Sequence, residues 1–431
     1  MPNAEPVAPL VEHFFRREAG RLVAVLTRFF GWKNFDLVEE MVQATLLDAL
    51  QSWRLRGVPD NPSGWIHQVA KNKILDALRR ESIGRRVKRE WAATHLKQSA
   101  AVEELFQDSE IEDSQLRMVF ACCHPRLARE NQIALTLKAL CGFGHSEIAR
   151  ALLVSEETIK KRLQRATRDL VDHDVPLDPP SASELVGGLD VVHQVLYLIF
   201  NEGYSTSKGE AAIRSDLCEE AARLCYLLCS HRQCNTPTTF ALMALMLFHA
   251  ARLDARLDHQ GAVLLMEDQD RGKWDRRLIR RAKQFLDRSS QGTTISPFHL
   301  EAGIALYHCS AESYEETDWG AILRLYDALL QLHRSPIYLL NRAIVVAQIE
   351  GPRAGIQALA EVGENDALRH YHLFDATLGE LYRRAGDMEQ ARRLLRLAKQ
   401  KTHSPSDQEI IDRRLTKCVG QSALKSSTRD S

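Results

Sequence analysis

The stretch Gly144-His-Ser-Glu-Ile-Ala-Arg-Ala-Leu-Leu-Val-Ser-Glu-Glu-Thr-Ile-Lys-Lys-Arg-Leu-Gln-Arg-Ala-Thr-Arg-Asp-Leu170 decides the fold. Its first part puts Ile148, Ala149 and Leu152 on one helical face, and Val154 is expected to be buried at the turn. Ser155 is a good N-cap residue, and Glu156 and Glu157 suit the positive end of a helix dipole. The second part turns Ile159, Leu163, Ala166 and Leu170 inward, and Glu157, Thr158, Lys160, Lys161, Gln164, Arg165 and Arg168 outward. Two helices joined by so short a turn read as a helix-turn-helix. The second helix of that motif reads base edges with its N-terminal residues and grips phosphates further along. Glu157, Thr158, Lys160 and Lys161 are therefore the expected base readers, with Gln164 on the same outer face. Arg162, Arg165 and Arg168 are the expected phosphate contacts. An antiparallel helix pair in a bundle would use the same apolar positions. The short turn, the small Ala149 and the cationic face favour the DNA reading.

Upstream, Trp65-Ile-His-Gln-Val-Ala-Lys-Asn-Lys-Ile-Leu-Asp-Ala-Leu-Arg-Arg80 is one amphipathic helix. Trp65, Ile66, Val69, Ile74 and Leu78 form its apolar side; Lys71, Asn72, Lys73, Arg79 and Arg80 project from the rest. Such cations can neutralise phosphates, and Asn can read a base edge or hold a backbone phosphate. A solvated charged helix would show the same charges. Before it lie a turn-rich stretch, 56–64, and helices over 8–53. Gly31 breaks the helical pattern there. Asp36 is expected to cap the next helix, with Val38, Val42, Leu46, Leu47 and Leu50 inward.

Amphipathic helical periodicity runs along the whole chain with no sustained alternation, so the fold class is all-α. A length of 431 residues predicts two to four domains. Lys plus Arg equals Asp plus Glu at 57 each, which alone argues against a nucleic-acid binder. DNA, however, senses only the nearby face, because salt screens charge within about 10 Å. Between Lys71 and Lys97 stand nine Lys or Arg against three Asp or Glu, so basic charge is local. The nine cysteines include no C-x-x-C pair, and no basic segment leads into an apolar run at the N-terminus. Reduced thiols in a cytoplasm fit this pattern, and no apolar run of about 18 residues predicts a membrane span. The expected organisation is a first helical block over 8–81, a basic linker 82–109 and the helix-turn-helix block 110–172. A Pro-rich linker at 173–184, a C-terminal helical domain at 185–419 and a tail at 420–431 follow.

The Trp65–Arg80 string is similar to Trp-hydrophobic-x-x-x-Ala-Arg-Asn-x-x-x-Asp-x-x-Arg-Arg of the extracytoplasmic-function sigma factors of bacterial RNA polymerase. Cys141-Gly-Phe-Gly-His-Ser-Glu-Ile-Ala149 resembles the Cys-Gly-Leu-Ser-x-x-Glu-Ile-Ala of that family, with Gly144 at the capping position. Asp36-Leu-Val-Glu-Glu-Met-Val-Gln-Ala-Thr-Leu-Leu-Asp-Ala-Leu50 resembles its polymerase-docking helix; Ala44 stands where the family has an acidic residue. The resemblance implies that Asp36, Glu39, Glu40, Gln43, Leu46 and Leu47 bind core RNA polymerase at the clamp of the largest subunit. The second block would meet the flap of the second subunit. It also implies that 54–80 engages and opens the −10 promoter element, a base being captured by the loop 54–63, and that 144–170 reads the −35 element.

Further pieces resemble the subgroup with a long tetratricopeptide-like extension. They are Val195-Leu-Tyr-Leu-Ile-Phe-Asn-Glu-Gly-Tyr204, Leu265-Met-Glu-Asp-Gln-Asp-Arg-Gly-Lys-Trp-Asp275, Thr317-Asp-Trp319, Leu325-Tyr-Asp327 and Ser335-Pro-Ile-Tyr-Leu-Leu-Asn-Arg-Ala343. Small residues such as Gly379, Ala391 and Ala398, and Ala343 and Gly355 about 36 positions earlier, fall where such repeats cross closely. Such grooves usually bind peptides or other domains, so a protein partner is an open possibility. The acids Glu267, Asp268, Asp270 and Asp275 could hold a ligand or do acid–base chemistry. Pairing with Arg271, Arg276 and Arg277 is the simpler expectation. Cys225, Cys229, His231 and Cys234 could suggest a metal, but buried thiols on a helix explain them. No catalytic set, cofactor site or metal site is expected. Two rivals stay open: a DNA-binding regulator independent of polymerase, and an enzyme or ligand sensor tethered to a DNA-binding module.

Overall fold

A computed structural model describes residues 7–84, 108–152, 154–177, 182–204, 213–360, 371–402 and 404–427. Among them stand eighteen α-helices and no β-strand beyond one isolated bridge, Leu257 to Val263. The expected basic linker falls mostly on residues outside the described set. By packing, the chain divides into one unit of residues 1–199 with 230–234, and a second of 200–229 with 235–431.

The first unit opens with α1 (Val7–Phe30), α2 (Phe35–Arg56) and α3 (Pro62–Gly84). α1 stops at Gly31, whose φ of 73° is left-handed. The residue capping α2 is Asn34, with no side-chain cap bond; Asp36 sits inside the first turn, contrary to expectation. α4 (Asp108–Cys122), α5 (Arg129–Ala139), α6 (His145–Leu152) and α7 (Glu156–Asp172) form the second block. Here Ile148, Ile159, Leu163, Ala166 and Leu170 are buried as predicted, while Val154 is only half-buried. α8 (Ala182–Tyr204) begins inside the expected second linker.

The two blocks of this unit pack tightly. A Cβ on Gly20 of α1 would lie 2.0 Å from the Leu140 carbonyl oxygen, and one on Gly142 2.5 Å from that of Arg16. Only residues without a side chain let the backbones approach so closely.

The second unit holds α9 (Ser215–Ser230), α10 (Pro237–Ala250), α11 (Arg276–Ser289), α12 (Pro297–Ser310), α13 (Trp319–Leu332), α14 (Pro336–Ile349), α15 (Pro352–Ala360), α16 (His372–Ala385), α17 (Met388–Lys401) and α18 (Pro405–Ser427). α10 is apolar all round and buried from Thr239 to Phe248, as a central helix must be. Three apolar clusters then follow in chain order. They centre on Ile322 and Leu329, on Leu340 and Leu359, and on Ala391 and Leu395. α18 runs to Ser427, through most of the segment expected as a tail.

The acidic cluster differs from expectation. Asp270 accepts from the Gly272 N–H at 2.9 Å, and Asp275 caps α11 through the Arg277 and Leu278 N–H groups. No ion pair joins Arg271, Arg276 or Arg277 to these acids among the described residues. Short Asp side chains reach local backbone N–H groups more readily than a guanidinium further along. The thiols of Cys225 and Cys229 donate to the Thr239 carbonyl, at 3.8 and 3.9 Å, and all nine cysteines are free and buried. Hydrogen bonding to Cys229 and burial push the Cys225 thiol well up.

Candidate nucleic-acid interface

α7 is started by Ser155, whose Oγ accepts from the Thr158 N–H at 3.1 Å. The Thr158 hydroxyl also meets Ser155 Oγ at 2.8 Å, so this expected base reader is engaged in the cap. Glu157, Lys160, Lys161, Gln164, Arg165 and Arg168 are exposed, and Arg162 is half-buried. Lys160 pairs with Glu156 at 3.3 Å and Lys161 with Glu157 at 3.5 Å. Exposed pairs one helical turn apart are worth about 0.3–0.5 kcal/mol, so a phosphate can displace them easily. α6 starts at Gly144 through a different device. The Gly144 N–H donates to Glu147 Oε2 at 2.6 Å, and the other Glu147 oxygen receives Arg16 Nη2 at 2.8 Å.

α3 is seated by aromatic rings and one buried acid. Trp65 meets Trp53 edge-on at 5.7 Å, and Trp53 stacks on Phe15 at 5.2 Å. Glu18 is 1% exposed and accepts from Ser63 Oγ at 2.9 Å and Arg21 at 3.0 Å, and lies 3.0 Å from His67 Nε2. Burial pushes its carboxyl up. The His67 bond, the Arg21 and His67 charges and the Ser63 bond outweigh that and leave it below its ordinary value. Of the expected DNA contacts, Asn72 is exposed and accepts from Gln68 at 3.2 Å. Lys73 pairs with Asp48 of α2 at 2.8 Å, and Lys71 is half-buried. Arg79 and Arg80 lie in α3, but their side chains are outside the described set. Before α3, Leu55 in the last turn of α2 and Val58 in the loop are 85% and 63% exposed; the expected 54–63 loop is shorter, since α2 runs to Arg56 and α3 starts at Pro62.

On α2, Asp36, Glu40 and Gln43 are exposed, and Glu39 and Leu46 are half-buried. Leu47 and Leu50 are 56% and 48% exposed, not inward as the apolar pattern predicts. An apolar residue at helical spacing says only that it avoids water, and a face covered by a partner gives the same pattern as a core face. Glu39 meets Lys138 of α5 at 2.9 Å, and the lysine side chain is only 9% exposed. A cavity of about 640 Å³ lies between Asp36 and Glu39 on one side and Lys160, Gln164 and Arg168 on the other. Arg28 adds bonds across the blocks to Glu110 at 2.8 Å and Ser114 at 3.1 Å. Asp36 and Glu39 of α2 and Lys160, Gln164 and Arg168 of α7 thus line one cavity, and the Glu39–Lys138 pair is the direct bond from α2 to the second block among the described residues. Sequence reasoning missed Glu18, Arg16, Lys138 and Glu147. The only local signal was Glu147 three residues after Gly144, the spacing of half a capping box.

Residues 14–83 match the model of sigma-70 region 2, and residues 117–170 that of sigma-70 region 4. The chain belongs to the sigma-70 family. Residues 188–290 of this sigma factor match a family of unknown function, DUF6596. An uncharacterized protein of Rhizobium meliloti (strain 1021) is 35% identical over 371 residues, 86% of each chain. No solved structure matches it. The first block of the sigma factor, α1–α3, is thus region 2, and the helix-turn-helix is region 4. Its partners are core RNA polymerase and promoter DNA. No helix among the described residues is long and apolar enough to cross a membrane.

Proposed function

We propose that this sigma factor is of the extracytoplasmic-function type, and that it holds core polymerase through α2 and two promoter elements through α3 and α7. The reading is carried by the exposed strip of Asp36, Glu40, Gln43, Leu47 and Leu50 on α2. An acidic strip with two leucines in water suits a large protein partner better than DNA, which would repel the acids. Phosphate contacts fall to Arg162, Arg165 and Arg168, and base edges to Glu157, Lys160, Lys161 and Gln164. At the −10 element, Lys71, Asn72, Lys73, Arg79 and Arg80 grip the strand. Trp65 supports them from Trp53, and the exposed Leu55 and Val58 stack against unpaired bases. The chain performs no chemistry in this scheme: binding alone positions polymerase.

Because the half-buried Glu39 beside that strip is held by Lys138 of α5, full access to α2 requires the two blocks to part, and this sets how available the strip is. We read the second unit as a tetratricopeptide-like domain that controls this availability. The close crossing at Gly379, where an added Cβ would lie 2.8 Å from Leu395 Cγ, supports that repeat geometry.

The test is Leu47→Asp with Leu50→Asp in the full chain, assayed by capture of core polymerase and promoter-specific transcription. Losing two central apolar contacts should weaken capture at least tenfold. DNA binding by region 4 should be unchanged. Undiminished capture would overturn the assignment of α2.

A further inference from the structure

Just past the end of α10, the second unit collects positive charge; Glu315 opposes Arg271 through space, but among the described residues no ion pair reaches Arg252. Arg252 is 4% exposed, makes no hydrogen bond from its guanidinium, and has no carboxylate within ion-pair distance among the described residues. Its guanidinium carbon lies 5.5 Å from the Trp274 ring centre, and that of Arg271 lies 4.7 Å from the same ring. Arg271 is 8% exposed and anchored, donating to the His308 and Ala311 carbonyls at 2.7 and 2.8 Å. Arg256 packs on the Tyr204 ring at 3.8 Å and donates to the Tyr204 carbonyl. Burial pulls the Arg256 guanidinium below its ordinary value, Tyr204 opposing and Arg252 adding to the pull.

Around these cations sits a surplus of unused hydrogen-bonding groups. Arg252 Nε, Trp274 Nε1, His249 Nδ1 and His308 Nδ1 are buried without partners. The two histidines are held neutral. Burial, with the neighbouring Arg252 among the added causes for both, brings each down to about 3. A buried guanidinium without a counter-charge is strongly unfavourable, and a π face returns only part of what water supplied. The C-terminal end of α10 offers roughly half an elementary negative charge, and with Glu315 acting on Arg271 this is still too little to balance three guanidinium groups. What satisfies such a site is one small group carrying full negative charge and several acceptor lone pairs.

We propose that Arg252, Arg256 and Arg271, walled by Tyr204 and Trp274, bind the oxyanion group of a small ligand, a phosphate or a carboxylate. The sequence pieces around Tyr204, 265–275 and 317–319, which no part of the promoter scheme uses, converge on this place. Arg252 is the specific contact, because its fork is unspent; Arg271 is already committed to carbonyls and positions Trp274.

The experiment uses the full chain, with inorganic phosphate and citrate as probes at matched ionic strength and sodium chloride as control. Calorimetric titration should show one site per chain for at least one probe. At a hundredfold excess over Kd, the melting temperature should rise by on the order of 5 °C. Arg252→Met should abolish both signals. It should also melt higher than the unliganded wild type, since it removes an unpaired buried charge. Arg252→Lys keeps the charge but not the fork, and should weaken binding about tenfold. Saturation by phosphate alone or citrate alone identifies the oxyanion and supports the site. No binding of either probe, or stabilisation that survives in Arg252→Met, overturns it. So does an Arg252→Met variant that folds but melts lower than the unliganded wild type, because Arg252 would then be a structural residue.

Discussion

Glu18 is the residue on which the seating of α3 depends. Three groups converge on one buried carboxylate, so replacing it with a neutral amide weakens its bonds to Ser63, His67 and Arg21 and sets an N–H against at least one of them. Glu18→Gln should destabilise the chain by about 2–3 kcal/mol in denaturant titration, since bonds to buried charged groups are worth about 1.5–3 each but Arg21 retains partial solvent. The pH dependence has a defined sign. Its folded pKa is lowered, so the contribution is present above the unfolded value near 4.5 and is lost as pH falls through the folded one. In Glu18→Gln that loss should disappear from the acid limb. His249 and His308 set a different window. Both are held down at about 3, while an unfolded imidazole titrates near 6.5. Between those values each unfolding event takes up a proton per histidine, so stability should fall as pH falls, by about 1.4 kcal/mol per unit for each. His249→Gln and His308→Gln should each flatten that slope. An unchanged slope in both variants would mean the imidazoles are already charged in the fold.

At the scale of elements, close crossings decide what substitutions do. In α16, Gly379→Ala gains up to about 1 kcal/mol of helix propensity. It also drives a Cβ to 2.8 Å from Leu395 Cγ and 3.2 Å from the Ala391 carbonyl oxygen. Overpacking of that kind costs about 1–3 kcal/mol, so the net effect should be a loss of about 1 kcal/mol. Gly187→Ala in α8 meets nothing within 4 Å and should instead stabilise by up to about 1 kcal/mol. Thermal melts of the two variants should move in opposite directions. The same contrast shows what the sequence could tell. The inward set of α7 was legible because Ile159, Leu163, Ala166 and Leu170 follow the helical period, and Ser155 as its cap is a local signal. Leu47 and Leu50 obey the same period yet face water, since periodicity names an apolar face without naming what covers it. The Arg271 error has the same root: its carbonyl acceptors at 308 and 311 lie 37 and 40 positions away, where local spacing says nothing.

At the scale of the first unit, the contacts between region 2 and region 4 are, in the proposed scheme, the control on how available the sigma factor is. Arg16 to Glu147, Arg28 to Glu110 and Glu39 to Lys138 each join the blocks at 2.8–2.9 Å. Glu39 is the telling case, because polymerase binding through α2, as proposed, would require its release from Lys138. A protein whose competent state is a fraction of the population binds with its affinity reduced by that fraction. Lys138→Ala removes one partner of a largely buried pair. Breaking fully buried pairs costs 3–5 kcal/mol, and with Glu39 19% exposed a figure of about 1–2 kcal/mol is reasonable. The variant should therefore bind core polymerase roughly 5- to 30-fold more tightly, provided Glu39 remains. Glu39→Ala loosens the same contact but also removes an acid from α2, so it should gain less or lose. The charge swap, Glu39→Lys with Lys138→Glu, restores the pair without the acid on α2, and should bind worse than either single variant. Distance measurements between labels on α2 and α7 give the structural half of the test. They should lengthen in Lys138→Ala and return in the swap. If Lys138→Ala lengthens the distance but leaves polymerase affinity unchanged, the closed packing is not what limits availability, and control must lie in the second unit.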